Sequence, residues 1–396
     1  MNYAIGTALI TILMVNGFSA VSGFTNNLAR VFMKKDDLPS SKLIEFPKLE
    51  YKDLTEKDKF ELQWYVIGAR TDFLTNRPKQ VQIWNTKYAV WKDKSGNYSA
   101  LHDACSHKGA SLSKGKINNE NIACPYHGYE FDKNGTLVKV PGICFRHSEV
   151  HDMKNYHIVE KNGWVYMNTM PVSEIKKVDV NDEFPVNGEN IYVEPEIEQE
   201  CAVVNLNMDY NCYSRILSEN SLDIMHIAFV HTFGNAKKPE PVREIPPTLV
   251  RPNHYKSTYF YEAGEESVAR KVFDVKDLII ENEFILPHTT IARVKFWDYV
   301  STVMTFALPI GDNKSRLFVK TYRNFWKNDL GDVFTRNSMY NTMLQDKVVV
   351  ENIDSRFMDG KFNMRFDKLQ NTYTSFYKRF VHQYGDGKCD NGDCEL

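Results

Sequence analysis

The sequence predicts an α+β chain whose front half is all β. Three observations carry that prediction. Short β-type runs separated by turn residues follow one another from Glu61 to about residue 170. Further on, strand-like runs such as Thr290–Phe296 and Leu317–Tyr322 precede one long helical stretch, expected from about Asp332 to Asp354. Aromatic residues make up 13% of the chain, with 24 Phe and 21 Tyr, which suits many strands around a large apolar cavity.

At 396 residues the chain can form two domains, each with its own core. A net charge of −2 and a pI near 6.6 give no basic footprint, which argues against a nucleic-acid partner. The seven cysteines are scattered and odd in number, so they are read as a few chemically employed thiols in a reducing compartment.

Residues 1–35 contain no Asp or Glu, and Ala4–Val15 is an apolar run suited in length to a signal-type segment. A basic, acid-poor continuation from Phe24 to Lys35 follows. Together they resemble bipartite plastid presequences, which implies plastid localisation; the alternative is membrane association through an anchor over residues 4–24. Residues 36–60 read as a charged linker. From Glu61 the chain becomes an antiparallel meander through Val81–Asn85, Tyr88–Trp91 and Tyr98–His102, with a turn at Asp93–Asn97.

The meander delivers Cys105-Ser-His107, and Cys124-Pro-Tyr-His127 comes later. Two thiolates and two imidazoles in this order can hold zinc, or a [2Fe–2S] cluster with Cys105 and Cys124 on one iron and His107 and His127 on the other. The flanks favour the cluster. Gly109 and Gly128 allow the backbone to approach closely, Pro125 stiffens the second loop, and the paired Cys-x2-Cys knuckles of a zinc ribbon are absent. A hairpin turning at Asn134-Gly135 follows, and Trp164–Met167 closes the domain near residue 170. Cys144 has no partner at a recognisable spacing and is read as a small buried hydrophobe.

The stretch Ser218–Thr232 sets Asn220, Asp223 and His226 at three-residue steps, with His231 five residues after His226. A continuous helix would put the first three on one face. It would leave His231 about 140° away from His226, so the histidines converge only where the helix distorts or ends. Two imidazoles and a carboxylate make a facial triad for Fe(II).

With Cys105, His107, Cys124 and His127 upstream of Asn220-x2-Asp223-x2-His226-x4-His231, the chain resembles the Rieske non-haem iron oxygenases of α-subunit type. The pheophorbide a and chlorophyllide a oxygenase branch is the nearest. Lys108 and Tyr129 depart from the usual Arg and Trp of the cluster loops. The resemblance implies a Rieske all-β [2Fe–2S] domain over 61–170 and an α+β helix-grip catalytic domain, StAR-related in type, over 171–385. It implies His226 and His231 as ligands of a mononuclear Fe(II), with Asp223 bridging to a cluster histidine of a neighbouring subunit in a homotrimer. Asn220 is read as a supporting polar residue beside Asp223. The third iron ligand is expected at Asp346 in Gln345-Asp346-Lys-Val-Val-Val-Glu351, with Glu351 and Asp354 as fallbacks.

The implied activity uses O2 and electrons from a ferredoxin/reductase donor to oxygenate a bulky apolar substrate, with a chlorophyll-derived tetrapyrrole first and a sterol, as in the sterol 7-desaturases, second. Competing readings are a Rieske electron carrier or redox-regulated plastid protein, and a zinc-binding interaction module. The Gly- and Asp-rich tail over 386–396 carries Cys389 and Cys394; it is read as a flexible acidic end, with a thiol-redox switch as the alternative.

Overall fold

A computed structural model describes residues 60–142, 151–175, 188–357 and 364–381. The expectations for residues 1–35, for the linker up to residue 59, for Cys144 and for the tail with Cys389 and Cys394 lie outside the described residues.

The first part is two antiparallel sheets. A six-stranded sheet runs in the order β1-β10-β9-β4-β3-β2, formed by β1 (Trp64–Ala69), β2 (Lys79–Ile83), β3 (Thr86–Lys92), β4 (Tyr98–His102), β9 (Asn155–Lys161) and β10 (Trp164–Pro171). A smaller sheet joins β5 (Lys116–Asn118), β6 (Asn121–Ala123), β7 (Glu130–Phe131) and β8 (Leu137–Lys139). Both cysteines of the Cys/His pairs belong to the core between them, with Trp91, Leu101, Leu112, Ile122 and Phe131. The expected hairpin forms, with Gly135 at φ 85° where its missing Cβ would meet the Met153 carbonyl.

After the one-turn helix α1 (Val172–Ile175) comes a seven-stranded antiparallel sheet in the order β11-β17-β16-β15-β14-β13-β12. Its strands are β11 (Ala202–Tyr210), β12 (Arg243–Arg251), β13 (His254–Glu262), β14 (Asp277–Ile285), β15 (Thr289–Phe296), β16 (Tyr299–Gly311) and β17 (Lys314–Arg323). In β13, Tyr255, Ser257, Tyr259 and Tyr261 are buried while Lys256, Thr258, Phe260 and Glu262 are partly exposed, the two-residue period of a strand with one inward face. The helices are α2 (Ser214–Leu222), α3 (Ile227–Val230), α4 (Val268–Lys271), α5 (Asp329–Val350) and α6 (Lys368–Val381).

Two differences from the sequence-based expectation have plain causes. Helix α5 starts at Asp329 rather than Asp332, because the Asn328 side chain caps it by accepting from Gly331 N at 2.9 Å. It is not the element the sheet wraps: it runs beside β11 and buries only Gly331, Met343 and Val350, while α2 and α6 lie against the sheet. Glu351 and Asp354 fall beyond its end.

Two features join the N-terminal sheets to the seven-stranded one. Lys320 of β17 donates to Asn162 O at 2.8 Å and to Glu194 Oε1 at 3.0 Å. Asn162 Nδ2 donates to Glu194 Oε2 at 2.8 Å, and the ammonium lies 4.2 Å from the centre of the Trp164 ring. Lys320 and Glu194 are 1% and 0% exposed, so this ion pair is fully desolvated. Nearby, His288 is buried among Phe60, Tyr65 and Trp84 from the front of the chain and Phe306 and Tyr377 from the back, at centroid distances of 5.4–6.4 Å. Neither nitrogen of His288 has a hydrogen-bond partner among the described residues.

Candidate metal centres

The two Cys/His loops repeat one hydrogen-bond pattern. Cys105 N donates to Ala110 O at 2.9 Å while Gly109 N donates to Cys105 O at 2.8 Å. Cys124 N donates to Tyr129 O at 2.8 Å while Gly128 N donates to Cys124 O at 3.0 Å. Each turn closes through a glycine in the left-handed region, Gly109 at φ 72° and Gly128 at φ 74°, where a side chain would strain the backbone.

The loops set the two cysteines beside each other and the two histidine rings beside each other. Cys105 and Cys124 are buried, and the rings of His107 and His127 lie 4.7 Å apart nearer the surface. Burial, with the neighbouring Cys124, pushes the Cys105 thiol up to about 11, so a bound metal must displace its proton at neutral pH. Nδ1 of His107 is buried without a hydrogen-bond partner, an orphan that a metal would satisfy. Tyr129, where the resemblance implies Trp, keeps an aromatic face 4.8 Å from His107. The donor set fits a cluster with its thiolates inside and its imidazoles outside.

The second centre depends on a break in a helix. Helix α2 ends at Leu222, Asp223 is extended, and α3 begins only at Ile227. Asn220, Asp223 and His226 therefore do not share one helical face, which corrects that expectation. Asp223 Oδ1 accepts Met225 N at 2.7 Å and His226 N at 3.3 Å, an Asx-type turn that restarts the chain toward the sheet. Asn220 stays on α2 and offers its main-chain carbonyl to Asp223 N at 3.2 Å. Its side chain makes no hydrogen bond to His226, His231 or Asp346 among the described residues.

Ending α3 at Val230 turns His231 back, so the two Nε2 atoms approach to 3.2 Å. Asp346 reaches in from α5, with Oδ1 at 3.6 Å from His226 Nε2 and 3.4 Å from His231 Nε2. Ligand atoms of His226, His231 and Asp346 all lie within 4.8 Å of one another. The fallback carboxylates are engaged elsewhere. Glu351 accepts Asn211 N at 2.6 Å and pairs with Lys347 at 2.8 Å, and Asp354 pairs with Arg356.

The far side of each ring is held as well. His226 Nδ1 lies 2.5 Å from the Asp223 carbonyl, which can only accept, so this nitrogen carries the proton and Nε2 keeps its lone pair. His231 Nδ1 lies 3.1 Å from Gln345 Oε1, and Phe233 stacks on the ring at 4.9 Å and 17°. With Nδ1 of His231 donating to Gln345, two imidazole lone pairs and a carboxylate oxygen converge on one point. Asp346 Oδ1 is buried and lacks a hydrogen-bond partner. A cation at this point would be held by one carboxylate and two imidazoles, a set that suits Fe(II). Burial holds His226 below its usual range, which keeps it neutral and able to ligate. Burial pushes Asp223 up, against the N–H groups of Met225 and His226.

The sequence presents Gln345 only as the neighbour of Asp346, and nothing in it marks Phe233 or Gly264. A Cβ on Gly264 would lie 2.3 Å from Gly234 O and 2.4 Å from Phe233 O, so the glycine lets the loop carrying Phe233 sit against the sheet.

The chain matches the profile of the Rieske [2Fe-2S] domain over residues 63–147 and that of the vanillate O-demethylase oxygenase C-terminal domain over residues 210–382. It is similar to a tert-butanol monooxygenase / tert-amyl alcohol desaturase oxygenase subunit of Aquincola tertiaricarbonis, 32% identical over 40% of this chain and 32% of that protein. It is similar to the oxygenase component of a 3-ketosteroid-9-alpha-monooxygenase of Rhodococcus rhodochrous, 24% identical over 44% of each. A chloroplastic chlorophyllide a oxygenase of Oryza sativa subsp. japonica is 24% identical over 44% of this chain and 29% of that one. The matched segment thus spans less than half the length of each of these relatives. The fold resembles the crystal structure of dicamba monooxygenase bound to dicamba, with a TM-score of 0.66 and 20% identity over 82% of this chain and 98% of the other.

Proposed function

Because the chain belongs to the Rieske non-haem iron oxygenases, we propose that it uses O2 and electrons from a ferredoxin-type donor to oxygenate a bulky apolar substrate. In this reading Cys105, Cys124, His107 and His127 hold the [2Fe–2S] cluster, and His226, His231 and Asp346 hold Fe(II). The observation that carries it is the meeting of two imidazole Nε2 atoms from the two ends of α3 with a carboxylate oxygen from α5. When bound, the cluster supplies single electrons and the mononuclear iron activates O2.

The protein's own groups do the positioning. Cys105 and Cys124 give up their protons in a buried pocket, where thiolate charge is tolerated only against metal. His226 holds its Nδ1 proton on the Asp223 carbonyl and His231 holds its own on Gln345, which aims both Nε2 atoms at one point. The Asp223 side chain is assigned to the link with a cluster histidine of a neighbouring chain in a head-to-tail trimer, with Asn220 supporting the turn behind it.

A chlorophyll-derived tetrapyrrole is the favoured substrate class, supported by the chlorophyllide a oxygenase likeness and by the acid-free, plastid-type N-terminus. A steroid nucleus is the second reading, favoured by the 3-ketosteroid-9-alpha-monooxygenase likeness. Plastid residence goes with the first; among the described residues no helix is long and apolar enough to cross a membrane. The test is iron quantification on the purified chain followed by product analysis with ferredoxin, reductase and panels of tetrapyrroles and steroids. Three irons per chain are expected. Two would make the protein an electron carrier.

A further inference from the structure

The two histidines of the second centre are held by different kinds of acceptor. His226 rests on a main-chain carbonyl, which has no hydrogen to give, so its tautomer is fixed by the backbone. His231 rests on an amide side chain, which has an oxygen at one end and an NH2 at the other. With Oε1 toward the ring, Nδ1 is the donor and Nε2 presents its lone pair to His226 and Asp346. With the amide reversed, Nδ1 would have to accept, the proton would move to Nε2, and a hydrogen would point into the space between the ligands. Phe233 fixes the plane of the His231 ring but not its protonated nitrogen.

We infer that Gln345 is a positioning residue that sets the ligating tautomer of His231 and thereby the metal affinity of the site; the inference rests on the assignment of His226, His231 and Asp346 as iron ligands. Gln345 precedes Asp346 on α5, so one short stretch of helix supplies both a charged ligand and the partner that orients a second ligand. Both outer acceptors are neutral, and among the described residues Asp346 is the carboxylate that closes on the two imidazoles. A partner of this kind is worth about 10- to 100-fold in metal affinity at other sites.

The test is anaerobic calorimetric titration of Fe(II) into the full-length, cluster-loaded protein after the mononuclear site has been emptied with a chelator. The proteins compared are wild type, Gln345→Met, Gln345→Glu and Asp346→Ala. Met has nearly the length of Gln, suits a helix and offers no comparable acceptor, whereas Glu keeps an acceptor that cannot reverse. The expected result is about 10- to 100-fold weaker binding in Gln345→Met and affinity at least equal to wild type in Gln345→Glu. Gln345→Met binding within twofold of wild type would overturn the role, as would equal weakening of both Gln345 variants, which would mark a packing effect. Either result leaves the ligand assignment standing if Asp346→Ala has lost the site. Wild type and Asp346→Ala binding Fe(II) alike would remove the ligand assignment and this inference with it.

Discussion

Asp223 has two separable duties, because its carboxylate makes the turn while its charge is a separate property. Oδ1 takes the N–H groups of Met225 and His226, a contact that an Asn side-chain oxygen reproduces. Asp223→Ala should therefore lose about 1 kcal/mol of stability, as other caps of this kind do, together with turnover. Asp223→Asn should keep the melting temperature and lose turnover. Parallel thermal melts and product assays check this, and an active Asp223→Asn enzyme would end the proposed bridging role. A second prediction concerns the cluster loops. Ala at Cys105 or Cys124 should abolish the cluster's visible absorption, while Ala at His226 should leave that absorption intact and remove one iron per chain.

At the scale of elements, the candidate iron site is built by breaking helices rather than by extending them. The residue steps from Asn220 to His226 suggest one helical face because spacing is a local signal, and the break at Asp223 overturns it; the Cys and His spacings suggest their ligand sets by the same local signal. The break at Asp223 was only half legible. The His226–His231 spacing required some distortion, but it did not say that a side chain would cap it. Strands β12 and β14 are hard to read in the sequence for different reasons. Pro246 and Pro247 hid β12, which tolerates them because it is the edge of its sheet. In β14 the buried Asn282 interrupts the inward face of Leu278, Ile280 and Phe284, while Glu283 on the opposite face is buried with Arg293 and His254, which reach it from β15 and β13. Gly264 was illegible, since its role is an approach of backbone to backbone across distant sequence. Ala at 264 should displace the loop bearing Phe233 at a cost of about 1–3 kcal/mol, read as a lower urea midpoint together with weaker Fe(II) binding.

At the scale of the whole molecule, His288 is one source of pH sensitivity. Burial alone holds this imidazole down to about 3, against about 6.5 in an unfolded chain. Between those values the unfolded state binds a proton that the folded state refuses, so stability falls as pH drops below about 6.5, by up to about 1.4 kcal/mol per unit. His288→Phe should flatten that acid limb while leaving neutral stability similar, and urea midpoints from pH 7 to pH 5 would reveal it. Unchanged curvature would assign the acid limb to other groups. Lys320 answers to a different change. Lys320→Met strands Glu194 without its counter-ion and should cost about 3–5 kcal/mol, whereas replacing both members of the pair by apolar residues should cost far less. That same ion pair bears on how the chain can be inherited and recombined. Glu194 is held from the front by Asn162 and from the back by Lys320, so a foreign cluster-bearing half joined to this catalytic half arrives without the matching carbonyl and amide. Such chimeras should fold poorly unless residues near 162, 194 and 320 cross over together, which makes this buried ion pair a seam along which the two halves travel as one hereditary unit.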